Sequence, residues 1–207
     1  MATKLSLYNG ALEDLDERRL ASLTEAREPR RVLDDFYDST VKYCLEQGYW
    51  NFAMRAVQAD SSSSITPTFG YQYAFTKPED FVRLYAMSSE PTMRQPLLEF
   101  VDEPALWYAN VDPLYVKYVS DDTAYGMDLS LWPETFTNYV ELRLALKACK
   151  RITGKSASDD LVKAEKRALA DARSKDAMNE PPGQMPAGTW VRSRRAGGVN
   201  STDRGLT

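Results

Sequence analysis

Histidine is absent from the 207 residues, and cysteine occurs only as Cys44 and Cys149. Without an imidazole this chain cannot by itself build a Ser-His-Asp or Cys-His triad. It also cannot build a histidine-ligated zinc or iron site, and two cysteines are too few for a four-cysteine zinc site. Acid–base catalysis would therefore depend on a carboxylate, lysine or tyrosine whose pKa is shifted towards neutrality.

Long apolar runs and glycine-rich phosphate loops are missing as well. No apolar run approaches the roughly 18 to 20 residues of a membrane span, and neither GxGxxG nor GxxxxGK[ST] occurs. The acidic residues do not follow the spacing of a calcium-binding EF-hand loop. We therefore expect no cofactor, no bound metal and no association with a membrane.

The two cysteines lie 105 residues apart, each inside an apolar pattern with helical spacing. Free cysteine behaves in a protein core as a small hydrophobic residue. We interpret Cys44 and Cys149 as buried thiols in a reducing compartment, with no disulfide between them.

Apolar residues recur with helical spacing before residue 61 and again after residue 133. The first helix is predicted to begin after Thr3, and a second to begin at Pro29 and to end near Gln47. Trp50, Phe52, Ala53 and Ala56 predict a short third helix. After Pro133 a helix that is apolar on nearly all sides is predicted to be central, and Ser158 is expected to cap a last, more exposed helix.

The middle of the chain has a different character. Residues 65–130 hold 12 of the 23 aromatic residues, and they include ten acidic but only four basic side chains. That balance disfavours nucleic-acid binding by this region. Strands of a small antiparallel sheet are predicted around 71–75, 81–87, 96–101, 105–108 and 114–119.

These patterns predict an α+β fold. It consists of a helical bundle of four to five helices, an inserted small antiparallel β domain and an extended C-terminal arm. The predicted boundaries assign residues 1–60 to the first part of the bundle, 61–130 to the β-rich insert, 131–180 to the second part of the bundle and 181–207 to the arm.

Charge is distributed unevenly between the arm and the rest. Residues 181–207 hold four arginines and one aspartate, a net charge of +3, whereas the other 180 residues hold 22 basic and 29 acidic side chains, a net charge of −7. A tryptophan close to several arginines is typical of interface hot spots. The candidate partner-binding residues are Trp190, Arg192, Arg194 and Arg195. A tail without a role and a nucleic-acid-binding tail are the alternatives.

Adjacent carboxylates are the other candidate chemistry. Asp34, Asp35 and Asp38 fall in the second helix, Asp121 and Asp122 follow a strand, and Asp159 and Asp160 open the last helix. A glycosidase needs two carboxyl groups that face each other across a sugar. Pairs at turns and helix starts usually have structural roles, so we assign no catalytic residue and expect no enzyme activity.

Several segments resemble the head-to-tail adaptor proteins of short-tailed bacteriophages, the gatekeeper or tail tubular protein A type. The similar segments cover most of the chain and are densest over residues 5–57. They are Leu7–Leu12, Glu17–Glu25, Arg27–Arg31, Cys44–Gly48, Trp50–Arg55, Tyr71–Phe75, Lys77–Pro78 and Asp80. The late helices of the family and its ending rich in Arg, Pro and Gly correspond to residues 134–180 and 181–195.

The resemblance implies a structural role in the neck of a virion assembled in the host cytoplasm. Proteins of this type form a ring of twelve under the portal protein, dock on it by the C-terminal arm and extend the channel through which genomic DNA passes without specific binding. The sheet domain would face the tail nozzle (a tail tubular protein B type), and tail fibres or spikes in some phages. One alternative function is a carboxylate-dependent peptidoglycan hydrolase associated with the tail. Another is a host-directed or DNA-binding module that uses the arm.

Overall fold

The computed structural model describes residues 2–179. Within that range, four α-helices and six β-strands follow one another in a helix–strand–helix order, which confirms the predicted α+β fold. The helices are α1 (Lys4–Glu13), α2 (Glu28–Glu46), α3 (Glu134–Thr153) and α4 (Asp159–Met178). The strands are β1 (Met54–Ala59), β2 (Tyr73–Thr76), β3 (Phe81–Ser88), β4 (Phe100–Asp102), β5 (Leu106–Ala109) and β6 (Leu114–Ser120).

The helix ends follow local sequence signals. Thr3 and Ser6 form a reciprocal capping box at the start of α1, and Pro29 occupies the first turn of α2. Gly154 ends α3 with a φ of 72°, a left-handed conformation that glycine adopts without strain. The Ser158 hydroxyl accepts a hydrogen bond from Leu161 N at 3.2 Å and so caps α4.

Helix α3 is central, as its apolar circumference predicts. It packs on α1, α2 and α4, and nine of its residues are buried. Only Glu165, Ala168 and Ala172 of α4 are buried, so this helix is the more exposed of the two, also as predicted.

The strands form two three-stranded antiparallel sheets in the orders β1-β6-β3 and β2-β5-β4. Side chains from both sheets make one apolar cluster, and its fully buried members include Phe75, Trp107 and Tyr118. Val119 at the end of β6 belongs instead to the core of the helical bundle. The two parts of the fold are therefore joined through β6.

The predicted third helix is wrong. A single 3₁₀ turn at Asn51–Ala53 leads directly into β1, where Ala56 pairs with Lys117 of β6. Just before this turn, the Trp50 indole is held against the end of α2, because it donates a hydrogen bond to Cys44 O at 3.0 Å. Pairing along the whole of β6 outweighs the local helical pattern. The first strand thus lies before residue 61, and the boundaries given for the domains stay a prediction.

The strands differ from the prediction in two smaller ways. The single predicted sheet is two sheets, and in place of the strand expected over 96–101 there is a three-residue strand, Phe100–Asp102.

Cys44 and Cys149 are buried and free, as predicted. Burial raises the pKa of the Cys44 thiol to about 12, which makes it unreactive at neutral pH.

Candidate interaction surfaces

The predicted docking residues Trp190, Arg192, Arg194 and Arg195 lie outside the described residues. What the structure gives is the point from which that segment departs. Asp176, in the last turn of α4, accepts hydrogen bonds from Asn51 N at 3.1 and 3.2 Å. The end of α4 is therefore fastened to the 3₁₀ turn that links the helices to the first sheet.

A cleft of about 430 Å³ opens beside this end of α4. Its lining comes from the end of α2, from β3 and from the last turns of α4, and Lys117 of β6 lies next to it. We call this surface the basic cleft, because its cations outnumber its one carboxylate, that of Asp176. Its aromatic and cationic residues are Tyr49, Arg83, Tyr85, Lys117 and Arg173.

The cations of the basic cleft are held by rings and carbonyl groups. The Arg83 guanidinium lies 4.2 Å from the centroid of the Tyr49 ring and donates to Glu46 O at 3.0 Å. Tyr49 packs edge-on against Tyr85 at 5.3 Å, and the Lys117 ammonium lies 4.8 Å from the Tyr85 ring. Arg173 donates to Gln47 O at 2.9 Å. Both arginines therefore sit at the C-terminal end of α2, where the helix dipole favours positive charge.

A second surface lies at the edge of the β2-β5-β4 sheet. Val101 of β4 pairs with Tyr108 of β5, and together with the 67–71 loop they line a groove of about 190 Å³. Phe69 in that loop is 87% exposed. In the part of the chain that the structure describes, β4 pairs only with β5, so its other edge is open. We call this surface the apolar edge groove.

A third surface is acidic and follows the contact between α1 and α3. It consists of Glu13 and Asp14 at the end of α1 and Glu134 and Glu141 of α3, and Glu141 packs against Gly10 of α1. We call it the acidic stripe. Burial, followed by repulsion from Asp14, Glu134 and Glu13, raises the pKa of Glu141 to about 7. Glu141 is thus a carboxyl group that can change charge near neutral pH in a chain without histidine.

The carboxylates that the sequence singled out have structural partners. Burial acts to raise the pKa of Asp34, but hydrogen bonds from Tyr8, Lys4 and Arg30 hold this pKa below its ordinary value. The carboxylate of Asp121 pairs with Lys42 at 2.8 Å. Asp122 accepts from Ala124 N at 2.8 Å, and Asp159 and Asp160 occupy the first turn of α4.

Asp80 is the centre of a polar network between strands. Its carboxylate accepts hydrogen bonds from Arg55 of β1 at 2.8 Å and from Tyr118 of β6 at 3.0 Å, and also from the Ser120 hydroxyl. Burial acts to raise its pKa, but these hydrogen bonds hold the pKa below the ordinary value. The network fixes the start of β3 against β6.

Neither the basic cleft nor the acidic stripe was found from the sequence. The cleft combines segments near residues 48, 84, 117 and 175, which only the tertiary fold brings together. The stripe had one signal, the isolated Gly10 inside a helical pattern, which often marks close packing. Glu141 lies against that glycine.

No protein-family model matches the chain, and no curated protein matches it either. Within residues 2–179 no helix is long and apolar enough to cross a membrane. The same range contains no group of three or more side chains arranged to hold a metal ion.

Proposed function

We propose that the protein is a structural head-to-tail adaptor of a phage virion. It forms a ring of twelve beneath the portal protein, docks on the portal by the C-terminal arm and presents a binding surface to the tail nozzle or fibres. The observation that carries the proposal is the charge division between a body of net −7 and a terminal segment of net +3. That segment follows the helix end fastened by Asp176 and Asn51.

The acidic body suits a channel for DNA. Like charge removes the attraction to phosphates that would slow a moving duplex. The Arg-rich segment suits the opposite task of holding a partner protein, since arginine and tryptophan are enriched among the residues that dominate binding energy.

The apolar edge groove suits the tail side of the adaptor. Exposed apolar residues beside an open strand edge are features of protein-binding surfaces. Phe69 and Val101 supply the apolar area, and β4 supplies unpaired backbone groups.

The test of the arm is a binding assay with purified portal rings. The full chain should co-sediment with portal, and a chain ending at residue 180 should remain in the supernatant while keeping its circular dichroism spectrum and its unfolding transition. A variant with Arg192, Arg194 and Arg195 changed to Ala isolates the charge from the rest of the arm. Equal co-sedimentation of the full and shortened chains would contradict the role of the arm.

A carboxylate-dependent peptidoglycan hydrolase is the second candidate, and Glu141 is the observation that favours it. A general acid for glycoside cleavage needs a pKa raised towards neutrality, and that of Glu141 is raised to about 7. The acidic stripe would then supply the second carboxylate. A zymogram on peptidoglycan should show no clearing if the protein is an adaptor. Clearing that is lost in Glu141→Gln would support the hydrolase.

A further inference from the structure

Within residues 2–179 the three cations of the basic cleft form no ion pair, although the carboxylate of Asp176 also lines the cleft. The ion pairs formed within residues 2–179 involve other side chains, so Arg83, Lys117 and Arg173 are not among them. Rings and carbonyl groups already hold these side chains in place. Such preorganisation lowers the entropy cost of binding an anionic group.

The acidic stripe is its counterpart. Glu13 pairs with Arg19, whereas Asp14, Glu134 and Glu141 form no ion pair with any described residue. These acids repel one another, since Asp14, Glu134 and Glu13 all act to keep the proton on Glu141. Cations from outside the chain would relieve this repulsion, and a matched positive surface would stabilise the ionised form.

The basic cleft and the acidic stripe share no helix or strand. The cleft is built from the residues just after α2 and from α4, β3 and β6, and the stripe from the end of α1 and from α3. The two surfaces therefore have no residue in common, so binding at one does not use the side chains of the other. That is the requirement for a head-to-tail contact, which closes into a ring when the rotation between copies permits.

We propose that the basic cleft of one copy binds the acidic stripe of a second copy. The contact between two copies is inferred from these two surfaces and does not depend on the proposed function. Only its closure into a ring of twelve rests on that function. The contact gives the adaptor a specific subunit interface, with three cations facing four carboxyl groups across Tyr49 and Tyr85.

Charge complementarity favours a second copy over a nucleic acid as the partner of the cleft. A nucleic acid could bind the cations but would leave the acidic stripe unneutralised, and the body of net −7 would repel its phosphates. A second copy satisfies both surfaces together.

The experiment is a charge-reversal exchange, read by sedimentation velocity of the full chain over a concentration series at low salt. One variant carries Arg83→Glu and Lys117→Glu, and a second carries Asp14→Lys and Glu134→Lys. Each alone brings like charges together and should weaken self-association by about tenfold or more. A chain with all four changes, or an equimolar mixture of the two variants, should recover association to within about threefold of wild type.

The matched control is Lys166→Glu with Arg167→Glu. These exposed cations lie on the same helix as Arg173, and their reversal changes the net charge by the same amount as the cleft variant. We expect this control to associate like wild type. Circular dichroism and thermal unfolding of every variant exclude a loss of fold as the cause.

Three outcomes would overturn the proposal. The first is a wild-type chain that stays monomeric throughout the concentration series. The second is charge reversals that do not weaken self-association. The third is a variant with all four substitutions that does not regain self-association. A fluorescent single-stranded oligonucleotide is included, and binding that the cleft variant loses while self-association is unchanged would assign the cleft to nucleic acid instead. Portal co-sedimentation is measured separately and depends on the arm, so failure here is distinguishable from failure of the adaptor role.

Discussion

The carboxyl group of Glu141 occupies the space that a side chain at Gly10 would need. A Cβ built on Gly10 would lie 2.4 Å from Cδ of Glu141 and 2.7 Å from each of its oxygens. The absence of a side chain in α1 thus lets a carboxyl group of α3 pack against the helix. This contact partly removes the Glu141 carboxyl from water and brings it near the acids of α1.

The first prediction is that Glu141→Gln stabilises the protein at alkaline pH. Between the ordinary pKa of 4.5 and the native value of about 7, the folded chain holds a proton that the unfolded chain has released. The contribution of Glu141 to the free energy of unfolding is therefore fully present below pH 4.5 and is lost as the pH rises through 7. Because the carboxyl is partly exposed, we expect a gain of about 1 to 2 kcal/mol at pH 8, less than the full shift would give.

Urea unfolding at pH 4.5 and pH 8 measures this difference. Glu134→Gln is the matched control, because Glu134 belongs to the same stripe but is exposed. Its effect on the pH dependence should be smaller. If Glu141→Gln and wild type differ by the same free energy at both pH values, the Glu141 carboxyl does not titrate near neutrality.

The second prediction concerns the close contact itself and uses a double-mutant cycle. Gly10→Ala should stabilise α1 by about 1 kcal/mol in a Glu141→Ala background, since alanine is the better helix former. In wild type the gain should be smaller by about 0.5 to 1 kcal/mol, because the Glu141 carboxyl must first move away. Equal effects in the two backgrounds, measured by urea unfolding, would show that the two residues are not in contact.

The third prediction is that Asp80→Asn destabilises the sheet that joins the bundle. An amide leaves the three donors on Arg55, Tyr118 and Ser120 with one acceptor oxygen, and we expect a loss of about 2 to 3 kcal/mol at pH 7. The pKa of Asp80 is lowered in the native state, so its stabilisation is present above the ordinary aspartate pKa and is lost as the pH falls through the lowered value.

The control for Asp80 is its neighbour. Glu79→Gln removes an equal charge from an exposed side chain and should leave the unfolding free energy nearly unchanged. The difference between Asp80→Asn and wild type should shrink as the pH is lowered towards 2. A difference that does not depend on pH would mean that Asp80 is not held ionised by its partners.

The fourth prediction assigns a role to the apolar edge groove. Phe69→Ser should change the unfolding free energy by less than about 0.5 kcal/mol, because the ring is 87% exposed. It should nevertheless weaken binding to the tail nozzle protein by about tenfold or more, as expected for an aromatic anchor. Leu131→Ser, at an exposed leucine outside the groove, is the control. Unchanged nozzle binding in Phe69→Ser would contradict this assignment.

Local signals in the sequence predicted the helices well. Thr3, Pro29, Gly154 and Ser158 each act within one turn of the helix that they start or end, so their effect does not depend on the rest of the fold. The apolar circumference of α3 predicted its central position for the same reason, since burial on all sides leaves a pattern in the helix itself.

Non-local pairing explains what the sequence did not predict. Residues 54–59 have no strong strand pattern and become β1 because β6 offers them a partner more than 50 residues away. The basic cleft has the same origin, since Tyr49, Arg83 and Arg173 meet only after the helices and the sheet have packed. The spacing of residues within one segment cannot reveal a surface that four separate segments of the chain form together.

Electron microscopy of portal rings mixed with the full chain tests the adaptor role most directly. We expect a second ring of twelve subunits on one face of the portal, continuous with its channel, and no added ring with a chain that ends at residue 180. Portal rings that stay bare with the full chain, or that the shortened chain decorates equally well, would contradict the proposal.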